Sequence, residues 1–74
     1  MEGIGIVYFQ GYEVAEVHYR INDDEGILDP LNMGMDKIMG KNGLEMKLEL
    51  EDGSTIQFII HTEVSDGTFK IRVR

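Results

Sequence analysis

The chain contains no cysteine. No disulfide can form, and neither a thiolate zinc site nor a thiol redox centre is open to it. The same absence suits a reducing compartment. Basic residues are scarce: 7 Lys and Arg stand against 14 Asp and Glu, for a formal net charge of -7. That balance disfavours binding to DNA, RNA or an anionic membrane, and it favours solubility or a basic partner. Long apolar runs are missing, so no stretch approaches a membrane span. The opening residues Met1-Glu2-Gly3-Ile4 lack the basic segment that begins a secretory signal. A cytoplasmic protein is expected. Linker-like Pro or Gly/Ser tracts, internal repeats and low-complexity segments are also lacking. Residues 1–74 therefore read as a single domain. A chain of this length buries only about 60% of its unfolded surface, so its core is small.

What is present is strand periodicity, clearest from Leu44 to Arg74. Leu44, Met46, Leu48 and Leu50 alternate with Glu45, Lys47, Glu49 and Glu51. Ile56, Phe58 and Ile60 form a second alternating set, and Phe69, Ile71 and Val73 a third. Period two puts each apolar set on one sheet face. Asp52-Gly53 and Asp66-Gly67 punctuate the runs as hairpin signals. Register decides the loop types, because a one-residue slip sends the apolar set to water. At the first site a three-residue loop, Glu51-Asp52-Gly53, sets Leu48 opposite Ile56 and Met46 opposite Phe58. At the second, a two-residue type I′ loop sets Val64 opposite Phe69, Thr62 opposite Ile71 and Ile60 opposite Val73. Both glycines should have positive φ. Leu48, Ile56, Phe58, Ile60 and Ile71 are the predicted core.

Residues 3–9 read as a first strand, apolar at both parities, and Tyr12–Ile21 as a second. Tyr12 and Val14 break the alternation of Ala15, Val17, Tyr19 and Ile21, which a bulge near Val14 or two covered faces would explain. Asn22–Gly26 reads as an acidic loop. Asp29-Pro30 resembles an N-cap followed by Pro at the first helical position. A short helix through Leu31, Met35, Ile38 and Met39, ended by Gly40, follows; its rival is a strand with Leu31, Met33 and Met35 on one side. The expected fold is mainly β: a small antiparallel meander or barrel of about five strands with one short helical connection.

Candidate sites are few. The acidic loop fails as an EF-hand: with Gly26 at position 6, Ile21 falls at position 1 and Asn32 at position 12. His18 and His61 occupy polar-parity positions, with His61 expected across from Arg72. They read as surface histidines. Ser54 and Ser65 sit beside Asp-Gly turns, where serine bonds locally. Gly3-Ile4-Gly5 lacks the third glycine of a dinucleotide fingerprint. Lys70, Arg72 and Arg74 form a basic stripe that Glu63, set opposite Lys70, would neutralise. Met33, Met35 and Met39 invite a flexible-binding reading, against which core filling by the helix is preferred. No catalytic, metal or cofactor-binding residue is assigned, and no enzyme is expected.

The remaining signal is apolar surface. If Ile4, Ile6, Ala15 and Val17 face the core, then Val7, Phe9, Tyr12 and Val14 lie on the other face. Such patches mark interaction surfaces. The expected function is therefore a non-enzymatic acidic β domain working through protein–protein contact, first of all with itself as a homodimer. The alternatives are an acidic nucleic-acid mimic that inhibits a nucleic-acid-binding protein, and a small-ligand binder or enzyme. The mimic requires Asp23, Asp24 and Glu25 to gather near Glu13, Glu16 or Asp29.

Overall fold

Six antiparallel strands close into a barrel, one more than the sequence pattern counts. A computed structural model describes residues 1–64 and 66–74; Ser65, read above as a turn serine, lies outside the described residues. The strands are β1 (Glu2–Phe9), β2 (Tyr12–Asn22), β3 (Glu25–Pro30), β4 (Glu45–Glu49), β5 (Thr55–Glu63) and β6 (Phe69–Val73). Their neighbour order is β1-β2-β3-β6-β5-β4, with β4 returning to β1. The chain is thus two three-stranded meanders. The first strand of one pairs with the first of the other, and the third with the third. A single helical turn, α1 (Met35–Ile38), lies in the connection between them.

The added strand is β3. Its inward set is Gly26, Leu28 and Pro30, so only one residue of the three carries a strong apolar signal. Asp29 and Pro30 belong to this strand rather than to a helix start, and Gly34 precedes α1 instead. Pro30 pairs with Val17 beyond the last β3–β6 pair, Leu28 with Phe69, where proline's missing N–H interrupts no ladder on that side. The acidic loop 22–26 shrinks to a two-residue turn, Asp23-Asp24, between the paired Asn22 and Glu25.

Register explains the interior. Met46 pairs with Phe58 and Leu48 with Ile56, as the three-residue loop requires. Leu50 N–H donates to Ser54 O, Gly53 N–H donates to Leu50 O, and Gly53 has φ +88°. The second hairpin departs from the expected type I′ turn. Val64 N–H donates to Thr68 O and Gly67 N–H to Val64 O, which repeats the first loop's pattern. Its Gly67 φ is +91°. That longer loop would leave Phe69 and Ile71 out of step, but a bulge at His61 restores them: Thr62 pairs with Lys70, then Ile60 with Ile71 and Phe58 with Val73. A second bulge, at Val14, lies between Val7↔Ala15 and Tyr8↔Glu13.

The two Asp-Gly loops share a side-chain lock. Asp52 Oδ1 accepts from the Ser54 amide (2.9 Å) and hydroxyl (2.6 Å), and Asp66 Oδ1 accepts from the Thr68 amide (3.0 Å) and hydroxyl (2.7 Å). The hydroxyl bond first, and the amide bond second, hold each carboxyl below its ordinary pKa. A depressed folded-state pKa stabilises the fold at pH above the unfolded value of about 3.9, and that stabilisation is lost as pH falls through the folded pKa. Denaturation at stepped pH should therefore show a steeper loss below about pH 4 in the parent than in Asp52→Asn/Asp66→Asn. Parallel curves would show that the two loops do not couple to protons.

The core holds Val7, Val17, Tyr19, Leu28, Met46, Leu48, Phe58, Ile60, Phe69 and Ile71, with Ile38 of α1 among them. Of the predicted core, Leu48, Phe58, Ile60 and Ile71 are buried, whereas Ile56 is half-buried. No helix of the described chain is long and apolar enough to cross a membrane.

Candidate functional site

The residues singled out as an interaction surface do not lie together. Val7 is fully buried, at 0% exposure, so it belongs to the barrel interior. Phe9 and Val14 are half-buried and pack against the core; Tyr12 alone stands out, at 78%. The inversion has a steric cause. On β1 the inward set is Gly3, Gly5, Val7 and Phe9. A Cβ on Gly3 would lie 2.5 Å from Glu51 Oε2 and 2.8 Å from the Tyr19 hydroxyl, and one on Gly5 would press into the Glu49 carbonyl oxygen. Interior space there admits only glycine, which carries no hydropathic signal. Ile4 and Ile6 consequently face outward, and Ile4 is exposed.

Apolar surface gathers instead on the connection 31–44. It leaves the barrel at the end where β1, β3 and β5 finish. Leu31 N–H donates to Glu16 O (2.8 Å), and Asn32 Nδ2 donates to Glu16 Oε1 (2.9 Å). Gly34 packs so closely on Ala15 that a Cβ would sit 2.7 Å from the Ala15 Cβ. Ile38 is buried in the core, and Lys41 Nζ lies 5.6 Å from the centre of the Phe9 ring. The connection thus caps the barrel end. Its methionines, however, do not fill the core: Met33 is 89% exposed, and Met35, Met39 and Leu44 are exposed as well. Leu31-Asn32-Met33-Gly34 closes a turn through Gly34 N–H to Leu31 O (2.9 Å), with φ +52° at Asn32 and +63° at Met33. Asparagine visits that left-handed region readily; a methionine there costs on the order of 1–2 kcal/mol.

The second feature is a groove of about 550 Å³ across the outer side of β3, toward the opposite end of the barrel. Arg20 on β2 and Lys70 on β6 flank Ile27, each paired with it in register. Arg72, Glu2, Asn22, Glu25 and His61 complete the polar lining. Glu63 pairs with Phe69, not with Lys70, because the loop at Asp66-Gly67 closes through Val64 and Thr68 rather than as a two-residue turn. Among the described residues Lys70 has no carboxylate within ion-pair distance. Lys70 is therefore not neutralised by Glu63 as expected. Arg72 does meet Glu25, at 3.8 Å, and Arg20 meets Glu2, at 3.9 Å, in long single contacts. His61 is not opposite Arg72, which pairs with Ile59; its Nδ1 lies 2.9 Å from Thr62 Oγ1. His18 contacts Glu2 across the β1–β2 pair, at 3.0 Å.

The acids are spread along the barrel. Asp23, Asp24 and Glu25 surround the turn at one end, while Glu13 lies ten residues from Asp23, at the other end of β2. Of the acids the mimic would gather with them, Glu13 is at the far end of β2, while Asp29 is on the same outward face of β3 as Glu25, four residues along the strand. Among the described residues no group of three or more His, Cys, Asp or Glu is placed to hold a metal ion. Comparison with known families, with curated proteins and with solved structures finds no match.

Proposed function

We propose that this chain is a non-enzymatic interaction domain whose contact surface is the methionine cap, and that its first partner is a second copy of itself. The observation that supports this is Met33: a large apolar side chain, almost fully exposed, on backbone held in a left-handed conformation. Strain of this kind persists where the surroundings over-determine it, and it marks functional positions. Here the Glu16 contacts, the Gly34–Ala15 packing and the buried Ile38 anchor both sides of the turn. The backbone is thereby fixed in advance, so at binding only the side chain's own rotamers have to be ordered. Met35, Met39 and Leu44 extend the apolar surface, and methionine adapts to irregular partners. Because the barrel is closed, association by strand addition has no long free edge to use. A side-chain surface must carry it.

Met33→Gly separates the two roles of that residue. It relieves the left-handed strain, so stability should rise by up to about 1 kcal/mol, less the entropy glycine adds to the unfolded chain. It also removes the side chain, so association should weaken. Light scattering on the parent, on Met33→Gly and on Met33→Glu/Met39→Glu is the measurement. A dimeric parent and monomeric, folded variants are expected. A parent that stays monomeric at millimolar concentration refutes self-association. The groove favours the small-ligand alternative on one count: His61 lines it together with Glu2 and Glu25.

A further inference from the structure

From the groove over β3 we infer a second binding site, separate from the cap, for a small amphiphilic anion: an apolar body with one carboxylate or phosphate head. Charge is the first ground. The chain has twice as many acids as bases, yet three of its seven Lys and Arg residues (Arg20, Lys70 and Arg72) line this one groove against two carboxylates, Glu2 and Glu25. Lys70 is unpaired among the described residues, and the other two cations hold their carboxylates only through contacts near 4 Å. Such exposed, single-point pairs are worth little and exchange readily for a ligand's anion.

Shape is the second ground. The floor is β3 itself, with Gly26 lying so near β2 that a Cβ would meet the Arg20 carbonyl at 2.7 Å. Gly26 belongs to the inward-facing row Ile21–Gly26–Ile71, so only backbone meets the groove there, and the outward rows Arg20–Ile27–Lys70 and Asn22–Glu25–Arg72 stand on either side of it. Ile27 rises from it, 40% exposed, between Arg20 and Lys70. Two strand spacings separate those cations at the backbone, about 10 Å. An alkyl or aryl body laid on Ile27 therefore has its head within reach of Lys70 and of one arginine. A volume of about 550 Å³ is that of a small-molecule site rather than of a macromolecular interface. An uncharged molecule would leave Lys70 desolvated without a partner, so the site discriminates for the anion.

The test is an amide-resolved NMR titration of the native protein with octanoate, octyl phosphate, octanol and octylammonium, all below micelle formation. Saturable shifts confined to Arg20, Gly26, Ile27, Lys70 and Ile71 are expected with one or both anions. Octanol should bind at least tenfold more weakly, and octylammonium should not saturate. Whichever anion binds more tightly identifies the head group. Lys70→Gln lies on the exposed face and should keep the parent's spectrum outside the groove while weakening anion binding at least fivefold. Equal affinity for octanol and octanoate, unchanged binding in Lys70→Gln, shifts scattered over the surface, or response to an acidic peptide alone would each overturn the inference. The Met33 variants should bind the anions as the parent does, so failure of the cap as an interface and failure of this site are read separately.

Discussion

Phe58→Ala is expected to abolish cooperative melting near the parent's temperature. Phe58 sits at the centre of the barrel, fully buried, between Met46 on β4 and Val73 on β6. Truncation to alanine removes its transfer free energy and leaves a void that a closed barrel cannot collapse, because every wall strand is hydrogen-bonded on both sides. The usual cost is about 3–5 kcal/mol. A chain of 74 residues has about 4–11 kcal/mol in total, at about 0.05–0.15 kcal/mol per residue. The substitution thus removes from about a quarter of the stability to all of it. Denaturant unfolding followed by circular dichroism measures this directly. A variant within about 1 kcal/mol of the parent would mean that the core is not organised around this ring.

Gly5→Ala is expected to be nearly as damaging, although it adds only one methyl group. The new Cβ would run into the Glu49 backbone carbonyl and approach Leu48 Cδ1 to 3.0 Å. A backbone atom cannot rotate aside, so β1 and β4 must part where their ladder is only three pairs long, Ile6↔Glu49 to Tyr8↔Lys47. Overpacking of this kind costs about 1–3 kcal/mol, and loss of the short ladder places this case at or above the upper end. Gly3→Ala is the matched control. Its obstacles are side-chain atoms: the Glu51 carboxylate, which accepts from Ile4 N–H at 3.0 Å, and the Tyr19 hydroxyl, 2.8 Å from the new Cβ, which accepts from Glu51 N–H at 3.2 Å. Moving both aside puts two hydrogen bonds at stake, about 1 kcal/mol each, without displacing backbone. If the two variants melt alike, the asymmetry between backbone and side-chain obstruction is not what governs this seam.

The same two glycines show where the sequence stops being readable. Alternation finds strands by contrast between apolar and polar residues. Where the interior demands glycine, as at Gly3, Gly5 and Gly26, contrast vanishes and the parity inverts or the strand disappears. Alternation places Val7 on the wrong face for this reason, and it divides β3 between an acidic loop, Asn22–Gly26, and a helix start, Asp29-Pro30. The hairpin at Asp52-Gly53 was legible because four apolar residues fixed its register without interruption. At Asp66-Gly67 the same logic chose the shorter loop, since a bulge at His61 is invisible to any strict period of two. The candidate surfaces divide similarly. The methionine cluster was visible, but its exposure depends on Gly34 and Ile38, not the methionines, being the residues of the connection that pack inward, a tertiary fact. The groove could not be seen at all, because Arg20, Ile27 and Lys70 meet only once β3 lies between β2 and β6.

The two-meander architecture has a consequence for chain connectivity. Ile21 N–H donates to Met1 O and Val73 N–H donates to Asp24 O, so residues 1 and 74 both lie beside the β2–β3 turn, at the end away from the cap. Each meander is built from neighbours in sequence, and only the β1–β4 and β3–β6 seams join distant segments. Neighbour order around the ring is therefore independent of which meander comes first. A circularly permuted chain that starts at β4, joins 74 to 1 by a short link and ends at β3 keeps every strand pairing of the native barrel. It sacrifices the cap alone. In that sense the barrel is a scaffold indifferent to its own starting point, and the cap is the part of the sequence that commits it to one.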